Sequence, residues 1–105
     1  EKAISHYKTT IKLKPDFSEA HYSLATALFF LKKTKEAIPH YHAAITLTPG
    51  YAEAYNNLGA ALLVEGKIEE AVANFQMAIG FKPGFADARY NLKMALKKLT
   101  IQPVR

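Results

Sequence analysis

Residues 52–83 read AEAYNNLGAALLVEGKIEEAVANFQMAIGFKP, from Ala52 to Pro83. Two apolar runs are separated at Gly66. In the first, Tyr55, Leu58, Gly59 and Leu62 fall at i, i+3, i+4 and i+7, one face of a helix. Ala71, Phe75, Ala78 and Ile79 repeat that spacing in the second run. Pro83 cannot continue a helix interior, so the second helix ends near Lys82. The stretch is one helix–turn–helix unit.

Sliding the chain against itself extends this reading in both directions. Pro15, Pro49 and Pro83 are 34 residues apart, as are Leu24, Leu58 and Leu92. Tyr7, Tyr41 and Phe75 keep the same offset. So do the alanine columns Ala3/Ala37/Ala71, Ala20/Ala54/Ala88 and Ala27/Ala61/Ala95. A two-helix unit cannot bury its apolar face alone, so like units stack and share one continuous core.

At this point the chain resembles the tetratricopeptide repeat family. Tyr55, Leu58, Gly59, Ala71, Phe75 and Pro83 match the family's pattern of aromatic, Leu-Gly, Ala, aromatic and Pro, with Leu62 in place of a second aromatic. The unit Ser18–Tyr51 departs from it with His21, Ala25 and Lys32, and the unit opening at Ala86 departs with Arg89 and Lys93. The resemblance covers about residues 1–99. It implies an all-α fold, a right-handed α-α solenoid of about six helices. The expected organisation is a half repeat 1–17, repeats 18–51 and 52–85, a half repeat serving as a capping helix at 86–99, and a tail at 100–105. The chain opens at Glu1 inside a repeat, which reads as a fragment of a longer protein or a processed chain.

Composition agrees. The chain has 105 residues, half of them hydrophobic, enough for one small domain. No apolar run approaches the roughly 18 residues of a membrane span, so no membrane insertion is expected. Zero cysteines exclude disulfides and thiolate metal sites without fixing the compartment. The net charge of +5 is uneven. Residues 1–17 carry four Lys against Glu1 and Asp16, net +2. Residues 18–85 carry five Lys against six acids, net −1. Residues 86–105 carry Arg89, Lys93, Lys97, Lys98 and Arg105 against Asp87, net +4.

Local signals set the expected boundaries. Glu1–Lys14 is a helix with Ala3, Ile4, Tyr7 and Ile11 on one face. Ser18 is the expected cap of a helix running to about Lys32, which is apolar nearly all round and should be covered on more than one face. Thr34 is the expected cap of the next, with Pro39 a place for a local bend. Lys93 takes the place of Gly59, which fits a helix whose outer face meets water.

Catalysis has little support. His40 and His42 are two apart on one helix, so they point to different faces and cannot chelate one metal together. His6 and His21 stand alone, and all four histidines read as surface or packing residues. No Ser/His/Asp set and no Gly-rich phosphate loop occurs. Glu69-Glu70 complements a helix dipole. No enzyme activity, cofactor or metal is expected.

The family resemblance implies binding instead, with the first helix of each unit lining a concave groove. Carried over by column, the groove residues are Tyr22, Asn56 and Tyr90; Ser23, Asn57 and Asn91; Thr26, Ala60 and Met94; Phe29, Leu63 and Lys97; Phe30, Val64 and Lys98. The expected function is a scaffold that binds a peptide or protein segment there. An Asn amide offers one acceptor and two donors, so Asn57 and Asn91 can grip peptide backbone or satisfy the fold. Asparagine in this column resembles the ladder of O-linked N-acetylglucosamine transferases. The carboxylate clamp of chaperone-binding relatives would fall on Tyr22, Thr26, Asn57, Asp87 and Asn91. Only Asn57 matches, and Asp87 would repel a carboxylate, so no clamp is expected. Two alternatives remain open. The chain can be a spacer or self-association arm of a larger, glycosyltransferase-type protein, forming homo-oligomers through exposed solenoid ends. Arg89, Lys93 and Lys97, spaced i, i+4, i+8, can form a nucleic-acid stripe, although a solvated cap is the preferred reading.

Overall fold

The computed structural model describes residues 2–101, with no side-chain description at Ile101. Six helices follow one another: α1 Lys2–Leu13, α2 Ser18–Phe30, α3 Thr34–Leu47, α4 Ala52–Val64, α5 Ile68–Phe81 and α6 Ala86–Ile101. No strand occurs among the described residues. The array measures 47 × 27 × 20 Å, an elongated solenoid rather than a sphere. α2 packs chiefly on α3 and α4 on α5, while α2 touches α4 and α4 touches α6 to form a second row.

The packing follows from the small-residue columns. Ala37, Ala71, Ala54, Ala88, Ala61 and Ala95 have no solvent exposure, which brings helix backbones close. Tyr41 and Phe75 fill the resulting holes and are wholly buried with Leu24 and Leu58. Burying one such side chain contributes about 2–3 kcal/mol. The same columns break at α6. Leu28 and Leu62 are buried, but Leu96 is 43% exposed and Leu92 only partly covered. No described helix follows α6 to cover that side, and Lys93 on it is exposed.

The helix ends differ from the sequence expectations. Neither Ser18 nor Thr34 caps a helix. The capping positions are Phe17, Lys33, Tyr51 and Lys67, none with a side-chain cap bond. Ser18 Oγ instead bonds Thr48 Oγ1 across the neighbouring turn at 2.6 Å, and Thr34 is buried one place inside α3. Pro39 sits within α3, which continues past it to Leu47. Lys32 and Gly66 close α2 and α4 in the left-handed region, at φ 63° and 82°. The Lys33 N–H reaches the Leu28 carbonyl at 2.8 Å, and Lys67 reaches Leu62 at 2.9 Å, the six-residue bond of a Schellman ending. Lys32 therefore adopts a backbone that only glycine adopts at no steric cost. α6 runs two residues past Leu99. The rest of the expected tail, residues 102–105, lies outside the described residues, as does Glu1.

Candidate functional site: the face of α2, α4 and α6

Stacking of α2, α4 and α6 brings their matching residues onto one face. Phe29, Ala60, Leu63, Val64, Asn91 and Lys98 line a cleft of about 490 Å³ that reaches down to Phe75. A second of about 450 Å³ shares Phe29 and Val64 with it and adds Phe30, Lys32, Thr34 and Glu65. A third, about 270 Å³, runs from Phe30 along Ala27, Thr26, Ser23 and Tyr22 to Tyr7 and Ala3 of α1. The second shares Phe29 and Val64 with the first and Phe30 with the third, so the three adjoin as one furrow with these residues at its middle. Phe30 is 81% and Val64 64% exposed. α2 is covered on more than one face, by α1, α3 and α4, yet not all round: Phe29 packs on the core and Phe30 stands in solvent.

Beneath the furrow runs a polar ladder. Asn91 Nδ2 donates to Asn56 Oδ1 at 3.0 Å, and Asn56 Nδ2 to Asn57 Oδ1 at 3.4 Å. Asn57 Nδ2 donates to the Tyr22 hydroxyl at 3.1 Å and to Thr26 Oγ1 at 3.4 Å. Thr26 Oγ1 also pairs with the Tyr41 hydroxyl at 2.9 Å. The ladder ties α6 to α4, α4 to α2, and α2 to α3. No described buried side-chain polar atom lacks a partner. The Asn57 amide donates to Tyr22 and Thr26, both in the wall of the third cleft, and its Oδ1 accepts from Asn56, leaving one lone pair for any ligand. Asn56 is 6% exposed and packs under the furrow rather than on it.

The aromatic end is a tyrosine cluster. The Tyr22 ring lies 5.0 Å from Tyr51 and 6.0 Å, edge-on, from Tyr41. Burial raises the pKa of Tyr22 and Tyr41. Tyr51 is pushed up to about 12, first by burial and then by Tyr22, Glu19 and Glu53. All three phenols stay neutral near pH 7 and act as hydrogen-bonding aromatic surface. The basic end is α6. Arg89 Nε is spent on the Pro83 carbonyl at 2.7 Å, while Lys93, Lys97 and Lys98 are exposed. Lys82 pairs with Glu53 at 3.0 Å, and that bond holds the Glu53 carboxyl below its ordinary value.

Ten of the expected groove residues line these clefts: Tyr22, Ser23, Thr26, Phe29, Phe30, Ala60, Leu63, Val64, Asn91 and Lys98. Asn57 lies behind them. Tyr90 and Lys97 are exposed outside the clefts and Met94 is half-buried. Sequence reasoning missed Tyr7, whose column is otherwise all core. It was also wrong on one histidine. His21 is not isolated but meets His40 across the α2–α3 contact, Nδ1 to Nδ1 at 3.3 Å. His21 and His40 are 19 residues apart, a separation that no spacing rule within one helix detects.

Comparison with known proteins agrees with this architecture. A family model described as TPR repeat matches residues 27–64, and one described as tetratricopeptide repeat matches residues 52–85. The chain belongs to the tetratricopeptide repeat family, generally a non-catalytic protein-interaction fold. Among solved structures, MamA is 30% identical with a TM-score of 0.89, over 93% of this chain and 57% of that one. The first TPR of Spaghetti (RPAP3), bound to HSP90 peptide SRMEEVD, is 27% identical with a TM-score of 0.90, over 92% and 77%. The Arabidopsis OM64 TPR domain is 25% identical with a TM-score of 0.89, over 91% and 79%. The chain thus spans little more than half the length of the MamA structure. No curated protein matches it.

Proposed function

We propose that the furrow across α2, α4 and α6 binds a short segment of a partner protein, apolar in its middle and acidic toward the α6 end. The observation that carries this reading is the exposed pair Phe30 and Val64 above the shared wall of two clefts, with Lys98 closing one of them. Apolar side chains so exposed gain by being covered, and aromatic surface supplies contact area with few torsions to freeze. Lysines at one end attract carboxylates from a distance and fix the direction of the segment. The peptide bound to the Spaghetti TPR, SRMEEVD, has acidic residues near its end, which lends support by likeness. The mode of grip differs in this reading. Asn57 is the one residue in common with the carboxylate clamp, and its amide donates to Tyr22 and Thr26 in the furrow wall. The organisation proposed is two full repeats, 18–51 and 52–85, flanked by half repeats, with α6 as a cap.

Affinity of so short a furrow is expected to be about micromolar, because ordering the peptide opposes the burial. A fluorescent peptide array of apolar cores with acidic residues at either end tests the reading. Binding should favour acid at one end only and weaken with Phe30→Ser. Equal binding of charge-reversed peptides, or none at millimolar peptide, removes it.

A further inference from the structure

α2 and α3 are joined by an imidazole pair. The two rings have centroids 5.5 Å apart and planes 27° apart, with Nδ1 facing Nδ1 at 3.3 Å. Rings meeting edge-on through an in-line N–H···N bond of that length have centroids about 5.6 Å apart, since each nitrogen lies roughly 1.15 Å from its centroid. The contact is therefore a hydrogen bond rather than a face-to-face stack. His21 Nε2 lies 3.0 Å from the Pro15 carbonyl, which can only accept. Nε2 then carries a hydrogen, a neutral His21 has a bare Nδ1, and His40 Nδ1 supplies the hydrogen between them. His21 is only 9% exposed and His40 is half-buried. No third His, Cys, Asp or Glu completes a metal-binding group here among the described residues, so the chemistry of the pair is that of the proton.

We propose that the His21–His40 pair is an acid-released latch, closing α2 on α3 near neutral pH and letting them part when both imidazoles are charged. The neutral pair holds one hydrogen on His21 Nε2 and one in the bridge. A first added proton enters at His40 Nε2 and leaves the bridge intact. A second has no place except the bridge itself, where two N–H groups and two positive charges would face each other. The unfolded chain meets no such limit, because each free imidazole takes up its own proton near pH 6.5. Charging both rings therefore breaks the bridge, which makes closure of this helix pair pH-dependent.

The surroundings point the same way. Burial lowers the His40 pKa most, then the charge of His21 and that of Lys8 on α1, while Glu36 on α3 opposes them. The sign follows. A histidine whose folded pKa is lowered contributes stability above about pH 6.5, lost as pH falls from there through the folded value. The latch also adjoins the furrow: Tyr41 follows His40 and holds Thr26, which holds Asn57.

Amide hydrogen exchange of the 105-residue chain, corrected for intrinsic rates, tests the latch at pH 7.5 and 5.0. The expected result is that α2 and α3 open about fivefold more readily relative to α5 at the lower pH, the effect of one lost part-buried hydrogen bond. In His40→Gln that difference should vanish. Equal pH dependence in both proteins, or equal loss in α2, α3 and α5, overturns the proposal. If His40→Gln does not fold, the imidazole nitrogen spectrum of the unaltered chain decides. His21 protonated at Nε2 and His40 at Nδ1, titrating in two separated steps, supports the latch. Two rings titrating independently overturn it.

Discussion

Substitution of Gly59 probes the packing of α4 on α5 most directly. A Cβ at this position would lie 2.5, 2.7 and 2.9 Å from Cε1, Cδ1 and Cζ of Phe75. Carbon atoms attract best at about 3.5–4.0 Å, so the nearest overlap is about 1 Å. Phe75 has no exposed surface and packs within the core, so its ring must be displaced from that packing to make room. Either α5 moves away or the ring leaves its rotamer, at about 1–3 kcal/mol. For Gly59→Ala, the better helix propensity returns about 1 kcal/mol, for a net loss of about 0–2 kcal/mol. Gly59→Leu places further carbons in the same space and should lose about 3 kcal/mol, roughly 12 °C in melting temperature. Ala25 and Tyr41 hold these two columns in the preceding helix pair, both buried. A methyl group here is thus compatible with the fold, and it is the position of the Phe75 ring that makes it costly in this pair. Thermal and urea unfolding followed by helical circular dichroism gives the single losses. Gly59→Ala with Phe75→Leu should then be less damaging than the sum of the two, by about 1 kcal/mol. An unchanged melting temperature for Gly59→Leu, or strict additivity in the double variant, refutes the packing argument.

Other expectations follow from the same structure. Lys32→Gly should raise stability by about 0.5–1 kcal/mol, since it removes a side chain from a left-handed helix ending; a lower urea midpoint contradicts this. Asn57→Ala should cost about 1–3 kcal/mol by leaving the buried Asn56 amide without its acceptor, and an unaltered unfolding curve would show that the ladder carries no stability. Peptides with free and amidated C-termini should bind alike if no carboxylate clamp operates, which paired titrations decide. Lys97→Glu with Lys98→Glu should slow association of acidic peptides and flatten its salt dependence, with little change in dissociation; stopped-flow rates that do not change refute the proposed direction of the segment.

What could be read from sequence is what the stacking period repeats. Leu24 and Leu58, Ala37 and Ala71, Tyr41 and Phe75 recur at 34 because each unit must bury the same stripe, and all are buried. Helix ends were harder to read, because Ser and Thr signal several local bonds at once and Ser18 spends its hydroxyl on Thr48. The columns also chose most of the furrow's lining but not its partners. Asn91 reaches Asn56 and Asn57 reaches Tyr22, each across 35 residues, so stacked helices are staggered by one residue from the column alignment. Side chains aligned at 34 share an environment, whereas those at 35 touch. The histidine pair escaped for the opposite reason, since it belongs to one helix pair only. Its column partners in the next pair are Tyr55 and Asn74, and no hydrogen bond joins these. Tyr55 stacks on Phe81 at 5.6 Å and Asn74 bonds the Glu70 carbonyl at 2.9 Å. A contact made once, between residues whose counterparts go elsewhere, leaves no periodic trace. In a repeat protein such unrepeated contacts are where one unit acquires a property its neighbours lack, and this pair gives the first helix pair a protonation equilibrium of its own.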